Sequence, residues 1–213
     1  MTMSTALAGP GLDGFAAPNR AAVDALQAGE PVLAVDDLDG TGCDLIVLAP
    51  SADVPAIAEM VRSGSGFVCV TVDDDRARRL ELPPMTWPPG EEGFGGCMCV
   101  SVDAVAGTTT GISARDRATT IRALADPTSE PGTFTRPGHV VPVLAGVEST
   151  SRIGILARAG LLSEEARGDA EMVPVAFASL ISQRDPLRAA APEEAGDWGL
   201  PILRYSDLLS VGG

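Results

Sequence analysis

Arg136-Pro137-Gly138-His139 places the only histidine of the 213-residue chain directly before the apolar run Val140-Val141-Pro142-Val143-Leu144. Imidazole titrates within reach of neutral pH, so a protein that needs one proton carrier would use such a side chain. The competing reading is a satisfied polar group at the head of a buried strand. Four cysteines, Cys43, Cys69, Cys97 and Cys99, form no paired C-x-x-C array, so reduced thiols are expected. Cys97 and Cys99 would point to one face of a strand, a spacing at which a metal or a disulfide is rare. The turn Asp36-Asp37-Leu38-Asp39-Gly40-Thr41-Gly42-Cys43-Asp44 concentrates carboxylates and reads equally as a solvated turn or a cation-binding loop. Thr109 and Ser113 come shortly before a helical segment, where a hydroxyl either caps the helix or touches a ligand.

The elements that would hold these groups follow from periodicity and punctuation. Residues 1–18 are small and rich in Gly and Pro, as a flexible tail is, and one domain is expected over 19–211. Ala21 to Ala28 has helical spacing stopped by Gly29, and Pro31 to Val35 and Leu45 to Ala49 flank the acidic turn as strands. Ser51 or Asp53 can cap a helix over Val54 to Arg62 whose apolar face is Ile57, Met60 and Val61. Phe67 to Val72 reads as a strand, Asp73 to Leu80 as a short charged helix, Trp87 to Gly96 as a loop and Cys97 to Val102 as a strand. Further on, Asp116 to Ala125 is expected as a helix, Val140 to Leu144 as a strand, Ile153 to Leu162 as a helix, Val173 to Ser182 as a strand and Tyr205 to Leu209 as a final helix. This mixture predicts an α+β (α/β) sandwich. No G-x-G-x-x-G or G-x-x-x-x-G-K-[ST] is present to cradle a nucleotide.

Composition narrows the partners. A formal charge of −14 with no basic block excludes a phosphate-backbone or anionic-membrane partner, because both need clustered Lys and Arg. Neither a membrane-length apolar stretch nor a basic-then-hydrophobic leader is found, so a cytoplasmic chain with a small polar substrate is expected.

Several ordered blocks resemble 3,4-dihydroxy-2-butanone 4-phosphate synthase of riboflavin biosynthesis. They are Gly29-Glu30-Pro31 through Asp36-Asp37, Ser65-Gly66-Phe67-Val68-Cys69-Val70, Leu80-Glu81-Leu82-Pro83-Pro84-Met85 and Val100-Ser101-Val102-Asp103-Ala104. Thr109-Thr110-Gly111-Ile112-Ser113 through Ala118, Ala125-Asp126-Pro127, Arg136-Pro137-Gly138-His139-Val140 and Gly199-Leu200-Pro201-Ile202 continue the series over roughly residues 19–210. The resemblance implies an α+β sandwich and a homodimer with its active sites at the subunit interface. It also implies a lyase that takes ribulose 5-phosphate, with magnesium, to dihydroxybutanone phosphate and formate. Enolisation and rearrangement of that kind need acid/base groups and a cation to polarise vicinal oxygens.

Departures fall on the polar motifs. Where the family carries Arg-Glu-Asn-Glu-Gly-Asp, this loop is one residue shorter, reads Gly40-Thr41-Gly42-Cys43-Asp44 and keeps only Asp44 in register. Where it carries Arg-x-Gly-His-Thr-Glu, this chain reads near Val147-Glu148-Ser149-Thr150, and a late family glutamate aligns with Ser179. The resemblance therefore implies loss of a metal-binding carboxylate and imidazole. No resident cofactor and no metal ligand are expected, although Asp36, Asp37, Asp39 and Asp44 could gather a weak magnesium ion. The catalytic candidates are His139, Asp44 and Cys43. The substrate-binding candidates are Cys69, Thr109, Ser113, Arg136, Asp37 and Asp39, while Arg115, Arg117 and Arg152 are further anion partners that the sequence does not orient. Three functions stay open. The chain is a repurposed acid/base enzyme on a different small polar substrate, as in specialised biosynthesis, or a surviving synthase, or a catalytically silent homodimer that binds a ligand or partner.

Overall fold

The computed structural model describes residues 19–85, 97–163 and 172–211. The expected tail over 1–18 and the expected loop from Trp87 lie outside them. Helix α1 (Arg20–Gln27) starts where the Asn19 side chain accepts from the Ala21 amide, satisfying one of the free N–H groups of a helix start. Strands β1 (Val32–Val35) and β2 (Cys43–Leu48) are buried at every position, which is why their sequences do not alternate and, Asp44 apart, are apolar throughout. Asp53, not Ser51, caps α2 (Val54–Arg62), which buries Ala56, Ile57 and Met60 while Val61 stays exposed. Then follow β3 (Cys69–Val72), α3 (Asp74–Arg79), β4 (Cys97–Met98), β5 (Val102–Ala104), α4 (Ala114–Ala125), β6 (Phe134–Leu144), α5 (Arg152–Ala157), β7 (Val175–Ser179), β8 (Ile202–Arg204) and α6 (Tyr205–Leu209).

The strands form one mixed sheet in the order β4-β6-β3-β7-β2-β1-β8, with β5 also paired to β6. Alternate side chains leave its two faces and enter two apolar clusters. One face packs Leu45, Val47 and Val70 under α2 and α4 through Ile57, Met60, Ala118, Ile121 and Leu124. The other packs Ile46, Cys69, Val141 and Phe177 under α1, α5 and α6 through Leu26, Ile153, Leu156 and Leu208. Helices on both faces make the expected sandwich.

Two strands escaped the pattern because they are three residues long: β5, and β8, which pairs parallel with β1. Strand β6 begins six residues earlier than its apolar run, at Phe134, because its first half is paired only through β5 and alternates in exposure. That half carries the cis Arg136-Pro137 peptide. The last expected strand is shorter, Val175–Ser179, and the helix before it relaxes after Ala157 into a 3-10 segment, Arg158–Leu162.

Candidate functional site

Register brings the polar candidates into one row. Cys69 on β3 lies beside Val141 of β6 and Phe177 of β7, and Phe177 lies beside Ile46 of β2, all in the cluster under α5. Two residues along each strand, on that same face, come His139 on β6 and the directly opposed pair Ser179 and Asp44 on β7 and β2. With strands about 4.8 Å apart, the row is roughly 14 Å long from His139 to Asp44.

At one end, His139 and Asp103 form a dyad. The His139 ring Nδ1 lies 2.7 Å from Asp103 Oδ2, and the His139 backbone amide donates to Oδ1 at 2.9 Å. The histidine side chain is 38% exposed and that of Asp103 12%, so the ring opens to solvent while its partner is covered. The cover is the Thr109–Ser113 turn. Asp116 Oδ2 accepts from the amides of Thr109 and Gly111 and from the Thr109 hydroxyl, and Ser113 caps α4 by accepting from the Asp116 amide. Burial opposes the Asp116 charge, but these donors outweigh it and hold the carboxyl below its usual range.

At the other end, Asp44 is fully buried and both its oxygens are taken. Arg152 reaches it through Nη2 and through Nε, and the Tyr205 hydroxyl donates to Oδ2 at 2.8 Å. Arg152 Nη2 also donates to Ser179 Oγ at 2.7 Å. Burial works against the guanidinium charge, and the Asp44 carboxylate more than restores it. Burial and the same carboxylate push the Tyr205 phenol far above its ordinary value, so it is a neutral donor. Nε and Nη2 are thus committed, the Arg152 side chain is 30% exposed, and Nη1 has no partner among the described residues.

The remaining candidates lie elsewhere or serve the fold. Cys43 belongs to the opposite face, donates to the Ala191 carbonyl, and burial with nearby carboxylates pushes its thiol up to about 11. Cys69 lies under the row, but burial pushes it up to about 12, so it is a neutral thiol at pH 7. Arg136 is spent on the carbonyls of Pro131, Phe134 and Leu80. Asp37 binds the amide and hydroxyl of Ser206 at the start of α6. Asp36 is consumed by the amides of Leu38, Asp39 and Thr41 and the Thr41 hydroxyl, so the acidic loop is braced from within, and Asp39 is exposed beside it. Sequence reading passed over Asp103, a lone carboxylate in the apolar strand Val102–Ala104, and Tyr205, the only tyrosine of the chain.

A mixed sheet between helical layers defines an α+β protein, which carries a half-open histidine–carboxylate dyad and a buttressed arginine on one face. A sequence profile for 3,4-dihydroxy-2-butanone 4-phosphate synthase matches residues 20–210. The 3,4-dihydroxy-2-butanone 4-phosphate synthase of Chromobacterium violaceum is 38% identical over 192 residues, 84% of this chain and 91% of that protein. The riboflavin biosynthesis protein RibBA of Rhodococcus jostii is 39% identical over 92% of this chain, which spans only 47% of it. The solved synthase of Candida albicans matches with a TM-score of 0.77 at 29% identity, over 92% of this chain and 97% of that one. The chain belongs to the 3,4-dihydroxy-2-butanone 4-phosphate synthase family.

The expectation of no cofactor is corrected by a further relative. A solved synthase in complex with two magnesium ions matches at 30% identity, with a TM-score of 0.73 over 88% of this chain and 93% of that one, so the family's fold is one that holds magnesium. Among the described residues of this chain, no three His, Cys, Asp or Glu side chains converge to hold an ion. Asp44 and Asp36 are already saturated by protein donors. These described residues do not make a metal site on their own. Nor, among them, is any helix long and apolar enough to cross a membrane.

Proposed function

We propose that the chain is an acid/base enzyme acting on a small polar substrate other than that of the synthases, in the cleft its family shares. The observation that carries this is the Asp44–Arg152–Ser179 set: a guanidinium occupies the row where the resemblance calls for a glutamate, at Ser179. His139 supplies the proton transfer, for which a positioned imidazole contributes about 10²–10⁴-fold. Arg152, fixed by Asp44, Tyr205 and Ser179, presents Nη1 to an oxygen of the substrate, and a donor that need not reorganise favours negative charge developing there. Cys43 and Cys69 stay protonated; Cys69 supports the row from beneath without attacking, and Cys43 lies on the other face of the sheet.

The second reading is the synthase reaction itself, favoured by the identity to the Chromobacterium enzyme over most of both chains. Under either reading we propose that magnesium enters together with the substrate, since this ion is commonly held by one or two carboxylates, waters and substrate oxygens. We also propose a homodimer closed over the row. The exposed apolar residues Phe67, ahead of β3, Val105, directly after β5, and Ile112, in the turn covering Asp103, support it.

The deciding experiment incubates the protein with isotope-labelled ribulose 5-phosphate and magnesium and follows formate by NMR, with light scattering on the same sample. Formate above a His139→Ala control establishes the synthase and overturns repurposing. A dimer that releases none leaves the repurposed reading standing, and deuterium exchange into small hydroxy ketones then identifies the substrate class.

A further inference from the structure

We propose that Asp103 is a positioning residue that locks His139 in the Nδ1–H tautomer and leaves Nε2 as the bare, proton-accepting nitrogen of a ring that is partly open to solvent. The proposal rests on the reading of His139 as the proton carrier, but it is tested without any substrate.

A carboxylate can only accept, so at 2.7 Å from Asp103 Oδ2 the ring Nδ1 must carry its hydrogen. The neutral ring then has its lone pair on Nε2. The second oxygen of the same carboxylate holds the His139 backbone amide at 2.9 Å, so one side chain fixes both the main chain and the ring. Rotation about the histidine side-chain bonds would break one contact while the other stayed in place.

Three neighbours keep this carboxylate aimed. A Cβ at Gly111 would fall 1.9 Å from Asp103 Oδ2 and 2.7 Å from His139 Nδ1, and the residue has φ +82°. Only glycine brings the turn this close, and the turn is itself pinned by Asp116 through the Gly111 amide. A Cβ at Gly138 would lie 2.0 Å from the Val102 carbonyl carbon and 2.3 Å from the Asp103 nitrogen, so β5 lies against β6 just where it delivers Asp103. Arg117, nine-tenths buried and donating to the Gly66 carbonyl at 2.7 Å, is near enough that its charge and that of Asp103 favour one another. The arrangement is that of a base's orienter: one carboxylate fixes the ring through one oxygen and the strand that carries it through the other.

Because His139 is the only histidine, long-range proton–nitrogen NMR of labelled protein shows a single imidazole without assignment work. The expected spectrum of the neutral ring has Nδ1 protonated and Nε2 bare. In Asp103→Asn the tautomer is expected to move toward Nε2–H, and Gly111→Ala, which changes neither dyad residue but drives a methyl against both, should shift it part of the way. A wild-type ring protonated on Nε2 overturns the proposal, as does an Asp103→Asn ring unchanged from wild type. Should Asp103→Asn fail to fold, the wild-type tautomer alone decides. A failed formate assay with an Nδ1–H ring would sink the synthase reading and leave this inference intact.

Discussion

At the residue scale the sharpest consequence comes from Asp44, a fully buried carboxylate whose charge is matched by one arginine. Removing a partner from such a pair leaves a charge with neither water nor counterion. Arg152→Ala should therefore cost about 3 kcal/mol of stability, the lower end of the usual range because the Tyr205 hydroxyl still donates to Asp44. Arg152→Lys, which keeps the charge but not the fork, should lose less. Urea unfolding reads both as a lower midpoint at constant slope, and a cost below about 1 kcal/mol would mean that water reaches Asp44. The thiols give a second, independent prediction. Burial raises Cys43 and Cys99 to about 11 and Cys69 to about 12 from 9.0, so the folded chain holds protons that the unfolded chain releases first. Their contribution to stability is complete below pH 9.0 and is lost as pH rises toward 12. Melting temperature should fall steadily over that window, and Cys69→Ala should flatten the fall whatever it does at neutral pH. An unchanged alkaline slope in that variant would exclude Cys69 as its source.

At the element scale, Gly138 shows how a strand pairing sets a catalytic geometry. Gly138→Ala forces a methyl into the β5 backbone, and overpacking of this kind costs about 1–3 kcal/mol. Moving β5 also moves Asp103, so the same variant should disturb the His139 imidazole spectrum; a destabilised protein with a wild-type ring would separate strand packing from the dyad. Elements with strong periodicity or a stop signal were legible in the chain: α1 ahead of Gly29, α2 behind Ser51 or Asp53, and the largely apolar runs of β1, β2 and β3. Strands β5 and β8 were not, because three residues carry no period and both exist only through a partner distant in sequence. The same limit applies to the site. His139 was visible as the lone histidine, but Asp103 becomes its partner only through the β5–β6 pairing, and Arg152 meets Asp44 across a separation of 108 residues. Cys43 and Asp44 are adjacent in the chain and suggested one role, yet the pleat sends them to opposite faces.

For the whole molecule, charge and metal have to be argued together. With a formal charge of −14, the folded chain repels itself, and any salt that screens this repulsion stabilises it without occupying a site. Magnesium stabilisation counts as binding only beyond what sodium chloride of equal ionic strength produces. Because the described residues gather no cluster of three ligands, magnesium alone should add little to that baseline. Together with a substrate whose oxygens complete the coordination, it should add much more. A ligand at 100 times its Kd contributes about 2.7 kcal/mol, and each kcal/mol raises the melting temperature of a protein this size by about 2–4 °C. The synthase reading thus predicts that ribulose 5-phosphate and magnesium jointly raise Tm by more than the sum of their separate effects. Under the repurposed reading, the sugar phosphate stays at the salt baseline with or without magnesium, and an excess appears only with the true substrate. Scanning small hydroxy ketones and hydroxy acids in paired wells, with and without magnesium, therefore reports the substrate class and the metal dependence in one measurement. An Arg152→Lys plate run beside it shows whether the arginine edge takes part, since a substrate held by Nη1 should lose its stabilisation there while one held elsewhere should keep it.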